Sequence, residues 1–137
     1  MPRKKSKKTL LKEEAERLMY ELAFKLYGKK CEVCGGTWKL VVHHFIPRHS
    51  WKAGTYEPLN LVILCGKCHF ELHQKQNPNI VARIIEKRGK KWLNKLNRLY
   101  QKTKKSVSYY GEKWLQTQIN QMKQKSQQLD KETNSWL

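Results

Sequence analysis

Acidic residues are scarce in this chain. Eleven Asp and Glu stand against 29 Lys and Arg over 137 residues, a formal charge of +18. Such an imbalance argues about partners rather than fold, and a polyanion, nucleic acid above all, is the partner it selects. Apolar residues are limited too: they make up 39% of the chain, and mean hydropathy is −0.83. A large apolar core is thereby excluded. A small core needs a staple, and a structural metal is the usual one where cysteines are spaced as they are here. Long apolar runs are missing altogether. No stretch of about 18 apolar residues offers a transmembrane helix. No long helix joins a basic face to a clean, bulky apolar one, which argues against a membrane surface as partner. Leu10-Leu11 gives way at once to Lys12-Glu13-Glu14, unlike the apolar segment of a signal peptide. The expected location is intracellular, in the cytoplasm, where paired Cys-x-x-Cys motifs read as metal ligation more readily than as disulfides.

The length predicts one domain. Residues 1–9, MPRKKSKKT, form a basic tail with nothing to bury, expected to be disordered until a polyanion is present. Residues 10–27 carry Leu11, Ala15, Leu18, Leu22 and Leu26 at helical spacing, with Thr9 as N-cap, acids near the positive helix end and Gly28 as the stop. Lys39–Val42 reads as a short strand running into His43-His44 and ended by Pro47. Residues 48–58 read as a loop, and 60–64 as a second strand or extended segment. A helix from Gly66 to about Lys75 would place His69 and His73 on one face.

Beyond this core of 31–73, residues 76–130 read as a basic helical extension. Asn77-Pro78 opens a helix over 78–88, Gly89 ends it, and 90–104 form another. From Lys75 to Lys105 the only acid is Glu86. A phosphate-contacting surface that includes Lys87, Arg88, Lys90 and Lys91 is expected, with plain solubility as the alternative. Residues 110–130 read as a last helix with a thin stripe of Leu115, Ile119, Met122 and Leu129. That stripe either docks back on the core or joins two copies in a homodimer.

The chemistry is concentrated between Cys31 and His73. Two Cys-x-x-Cys knuckles, Cys31/Cys34 and Cys65/Cys68, supply four soft thiolates on tight loops, the donor set of a structural Zn²⁺. Lys30, Glu32 and Lys67 make these loops polar, which disfavours four reduced thiols in a core. The thirty residues between the knuckles exceed a minimal zinc ribbon and carry His43, His44 and Asn60. Adjacent histidines on a strand point to opposite faces, so one can ligate a metal while its neighbour takes a proton. His43 and His69 holding a metal, with His44 as general base, would meet the needs of phosphodiester hydrolysis. Arg48, Lys52 and Lys67 lie close in sequence and would steady the phosphate. His49 reads as a loop residue. Trp38, Trp51 and Tyr56 either stack on unpaired bases or pack in the core and loops.

Cys-x-x-Cys, His-His-x-x-Pro, Asn-Leu and Cys-x-x-Cys-His, followed by a final His, resemble the HNH endonucleases. The resemblance covers about residues 31–73 and implies an α+β fold, the small ββα-metal (His-Me) finger with a structural zinc, flanked by helices. It further implies that His43 and His69 bind the catalytic metal, Mg²⁺, Mn²⁺ or another divalent ion, and that His44 activates water. The resemblance also implies that Asn60 is the middle residue, bracing the loop that bears the base. His73 matches a further ligand or phosphate contact in some branches. The implied reaction is DNA hydrolysis to 5′-phosphate and 3′-hydroxyl ends. Many relatives carry an acid just before the histidine pair, where this chain has Leu40-Val41-Val42. The basic helical extension is similar to that of phage recombination nucleases of the NinG type, which implies a phage or mobile-element role in a bacterial or phage-infected cell. A non-catalytic zinc module that binds nucleic acid, and an RNA-cleaving member of the same fold, are the alternatives.

Overall fold

The computed structural model describes residues 3–105 and 110–134. Among them the fold is mixed: five α-helices and one small antiparallel sheet of two strands. The first helix, α1, runs from Lys7 to Tyr27 and buries Leu11, Ala15, Leu18, Met19, Leu22 and Ala23. It starts earlier than its apolar periodicity suggests. Ser6, not Thr9, is the N-cap: its hydroxyl accepts from the Thr9 N–H at 3.2 Å. Residues 7–9 are therefore helical rather than part of a disordered tail, and no acid lies in the first turn. The helix stops at Gly28, whose φ of +85° suits only glycine well and whose N–H returns to the Phe24 carbonyl.

Strand β1 (Val41–His44) pairs with β2 (Leu61–Leu64), with His43 opposite Val62 and His44 opposite Leu61. All four β2 residues are buried because both faces of this tiny sheet are covered. Val42, Leu61 and Ile63 join the core made with α1 and with helix α5 (Glu112–Asn134). Val62 and Leu64 join a second core around the cysteines, with Ile80 and Ile84. The alternation of side chains along a strand thus sends neighbouring residues into two different environments. That parity positions the histidine pair.

The segment expected as a loop contains two short 3₁₀ turns, Lys52–Gly54 and Pro58–Asn60. Helix α2 spans Gly66–His73. Helix α3 (Pro78–Arg88) has the expected Asn77 cap, its side chain accepting from Asn79 N–H at 3.0 Å. Gly89, with φ +90°, ends α3 and leads directly into α4 (Lys90–Thr103). The thin stripe on α5 is spent within the chain: Leu115, Ile119 and Met122 are buried against α1. Lys25 binds Ser126 and Asp130 alongside them. Docking back on the core is the outcome, and the surface through which this stripe would join two copies is covered. No helix among the described residues is long and apolar enough to cross a membrane.

Candidate metal centre and active site

Cys31, Cys34, Cys65 and Cys68 converge until their sulfurs all lie within 4.8 Å of one another, with Cys34 and Cys65 Sγ 3.6 Å apart. Zn–S bonds of about 2.3 Å in a tetrahedron need S–S separations of about 3.8 Å, so the donor set fits zinc. Backbone N–H groups already point at the sulfurs: Val33 to Cys31 at 3.4 Å, Gly36 to Cys34 at 3.3 Å and Cys68 to Cys65 at 3.5 Å. Burial pushes the Cys31 thiol up, but N–H groups of Cys34, Cys65 and Val33 outweigh it and bring it down to about 7. Burial and then the neighbouring sulfurs raise Cys68. One sulfur is thus poised to ionise, and four sulfurs gathered this closely suit a shared cation. The four-cysteine cluster points to a structural zinc.

A second cluster is built from β1 and α2. His43, His69 and His73 each offer a ring nitrogen, and these atoms lie within 4.8 Å of one another. Ring centroids are 5.7 Å apart for His43–His69, 5.1 Å for His43–His73 and 4.4 Å for His69–His73. The four-residue step along α2 stacks the last two on one face, and β1 parity brings His43 to meet them. Burial, and then the other imidazoles, lowers His43 to about 3; burial followed by His73 also lowers His69. A neutral imidazole is the ligand form. His73, left open between ligand and phosphate contact in the sequence, is the third member of this cluster.

His44 faces the opposite way and is buried. Its Nε2 lies 2.7 Å from the Thr55 carbonyl. A carbonyl only accepts, so Nε2 carries the proton and Nδ1 presents its lone pair as an acceptor. Arg48 Nε donates to that Nδ1 at 3.4 Å, and its Nη2 donates to both carboxylate oxygens of Glu16 at 2.8 and 3.1 Å. Burial, then the Arg48 guanidinium, lowers His44, against the raising effects of Thr55 and Glu16. The lowering favours the neutral imidazole, whose acceptor nitrogen is Nδ1. Both histidine sets open into one cleft with Pro47, Arg48 and His49 on its rim.

Asn60 is fully buried. Its Oδ1 accepts from Ile46 N–H at 2.7 Å, and its Nδ2 donates to the carbonyls of Ile46 at 3.0 Å and Gly54 at 3.2 Å. It ties the end of β1 to the 3₁₀ turn next to Thr55, the residue that orients His44.

The cations divide. Lys87, Lys90 and Lys91 are exposed at the α3–α4 junction. Lys52 shares a basic hollow with Lys8, Lys12 and Arg48. Lys67 does not line the histidine cleft but a groove beside Trp38 and Phe70. Arg88 is not a surface cation. Its side chain is 9% exposed, its partner Glu32 3%. It binds both Glu32 oxygens, donates to the Leu61 carbonyl at 2.7 Å and lies 3.8 Å from the Tyr27 ring centroid. Nη1 has no partner among the described residues but is buried with the rest of the side chain, so this guanidinium is not presented to a phosphate, and the expectation that Arg88 contacts nucleic acid is withdrawn. Glu32 likewise does not make its knuckle polar: it is buried, and accepts the Ile63 N–H at 2.7 Å. Glu16 and Thr55 were not visible as site residues. Glu16 acts from a distant helix, and Thr55 contributes only a backbone carbonyl, which no side-chain pattern reports.

Residues 31–75 match the HNH endonuclease family model. That third of the chain is the segment holding both clusters, His44 and Asn60, and the resemblance read from the sequence stands for it. No curated protein and no solved structure matches the chain. An HNH domain is a nuclease domain, and its substrate is nucleic acid.

Proposed function

We propose that the HNH domain of this chain makes it a metal-dependent endonuclease that hydrolyses DNA phosphodiester bonds, with phage or mobile-element DNA processing as its setting. The observation that carries this reading is the convergence of His43, His69 and His73 on one point beside His44, whose Nδ1 lone pair is fixed by the Thr55 carbonyl. His44 Nδ1, released when Arg48 Nε turns from it to the phosphate, takes the proton from the attacking water. Arg48, steered by Glu16, binds a phosphate oxygen and keeps the water and the base in line. Asn60 holds the two backbone segments that orient His44. His43, His69 and His73 would hold the divalent ion. Bound there, that ion supplies Lewis acidity to the phosphate and charge stabilisation to the leaving 3′ oxygen, consistent with 5′-phosphate and 3′-hydroxyl products. A set of three imidazoles suits a transition ion better than Mg²⁺, which prefers oxygen ligands. Mn²⁺, Ni²⁺ and Zn²⁺ therefore rank ahead of Mg²⁺ for activity. The exposed cations, Lys87, Lys90 and Lys91 with Lys52, bind the flanking backbone and make affinity fall steeply with salt.

The test is plasmid cleavage by zinc-loaded wild type and His44→Ala in each divalent ion. Nicking by wild type alone supports the base assignment. Inertness of both proteins on plasmid, branched and single-stranded DNA and on RNA overturns the nuclease reading in favour of a zinc module that only binds nucleic acid.

A further inference from the structure

Five tryptophans occur in the chain, and large aromatics are usually well covered in a folded protein. Trp51 is 2% exposed and Tyr56 6%, so neither is available for stacking. Trp38 is 61% exposed, and Phe70 is 54% exposed. The two line one apolar groove together with Lys39, Gly66 and Lys67. Trp38 is held in place. Its carbonyl accepts the Gly66 N–H at 3.1 Å, and its ring lies so close to Gly66 that a Cβ there would come within 2.8 Å of it. Lys39, next in the chain, adopts a left-handed φ of +47°, unfavourable for a lysine, and its ammonium sits 4.8 Å from the Trp38 ring centroid. The groove has apolar walls and ammonium groups at its edge, in a protein with a charge of +18. Phe70 and Lys67 share the eight-residue helix α2 with His69 and His73, so groove and cleft are borne on one short element.

We propose that Trp38 and Phe70 form a stacking platform for an unpaired nucleobase of the substrate, within a few nucleotides of the scissile phosphate, with Lys39 and Lys67 on the adjoining phosphates. The inference rests on the nuclease reading and adds a substrate class to it: nucleic acid with unpaired bases beside the cut, as at a flap, gap, fork or single-stranded end. Flat aromatic faces accept any base, and flanking ammonium groups track the backbone. A fully paired duplex keeps its bases stacked on one another and cannot use the platform.

The test compares a dT 12-mer with an abasic 12-mer, which has the same phosphates and no bases. Binding to the full, zinc-loaded chain is read by fluorescence anisotropy in the cold without other divalent ions. Wild type should bind the dT 12-mer about tenfold or more tighter than the abasic strand. Trp38→Ala/Phe70→Ala should abolish that preference while leaving abasic and duplex affinities unchanged. Trp38→Tyr should retain it. Equal wild-type affinity for the two strands overturns the platform. So does a double variant that keeps its zinc and its preference. If the double variant loses zinc, the exposed Phe70→Ala decides alone, and an unmoved preference again overturns the proposal. Equal affinities together with active plasmid nicking defeat the platform and leave the nuclease reading standing. Absence of any nucleic-acid binding at low salt defeats both.

Discussion

Replacing Asn60 offers a sharp test because its three hydrogen bonds leave no freedom in how the amide is oriented. Ile46 N–H can only donate, so the amide oxygen must face it; the carbonyls of Ile46 and Gly54 can only accept, so the NH₂ must face them. Asn60→Ala removes all three bonds at a site with no water access. At about 1 kcal/mol net for each bond, the loss is about 3 kcal/mol, or a fall in Tm on the order of 10 °C. Asn60→Asp is nearer in shape yet should be worse at neutral pH. Its carboxylate keeps the bond from Ile46 N–H but turns a charged oxygen toward two carbonyls. Protonating it instead costs about 4 kcal/mol at pH 7, from an ordinary Asp pKa of about 3.9. The signs also differ with pH. The introduced carboxyl has a raised pKa in the folded state, so the Asp variant binds more protons folded than unfolded. Its deficit therefore grows as pH rises above about 3.9 and shrinks as pH falls toward it, whereas that of the Ala variant stays constant. Urea denaturation of both zinc-loaded variants between pH 5 and 7.5 measures this. An Asp variant as stable as Ala at pH 7.5, or one whose deficit ignores pH, would refute the assigned hydrogen-bond network.

Other outcomes follow from the same structure. His43, lowered to about 3, and His44 and His69, also lowered, bind protons more readily unfolded than folded. With only the cysteine site loaded, stability should be full above about pH 6.5 and decline as pH falls toward 3; a shallower decline in His43→Asn, measured by urea midpoints, isolates the histidine share from acid loss of zinc. Arg88→Ala strands the buried Glu32 and should cost about 3–5 kcal/mol in chemical denaturation, whereas Lys87→Ala should leave stability within about 0.5 kcal/mol and lower the salt slope of DNA binding. Gly54→Ala would set a Cβ 2.1 Å from the Trp51 ring, which is tied to Thr103 by a hydrogen bond and packed against Tyr100. A loss of about 1–3 kcal/mol in thermal melts is expected, with impaired cleavage, because Thr55 and the carbonyl that Asn60 grips belong to the same turn.

The parts of this fold that were legible in the sequence are those governed by local rules. Asn77-Pro78 and Gly89 bound α3 as their capping chemistry requires. The alternation of β1 separates His43 from His44, and the four-residue step on α2 brings His69 over His73. What stayed hidden depends on partners remote in the chain. Arg88 looks like any other cation in a basic run; only its meeting with Glu32, 56 residues away, makes it a core residue. Glu16 reaches Arg48 across 32 residues. Ser6 competes with Thr9 as a cap on equal chemical terms, and the apolar periodicity that begins at Leu11 carries no record of the turn before it. The exposure of Trp38 against the burial of Trp51 likewise follows from tertiary packing, not from either residue's neighbours in sequence.

The double covering of β2 bears on whether the finger can be transplanted. The segment 31–75 holds every cysteine and histidine donor, so a gene fragment encoding it looks like a portable nuclease cassette. Yet Val42, Leu61 and Ile63 look out from that segment onto α1 and α5, and the carboxylate that steers Arg48 also comes from α1. Excised, the cassette would carry one bare apolar flank and a loose arginine next to its base, a recipe for sticking to itself and cutting poorly. A chimera must import its own roof: a pair of packed helices with a matching apolar stripe and one acid placed where Glu16 stands.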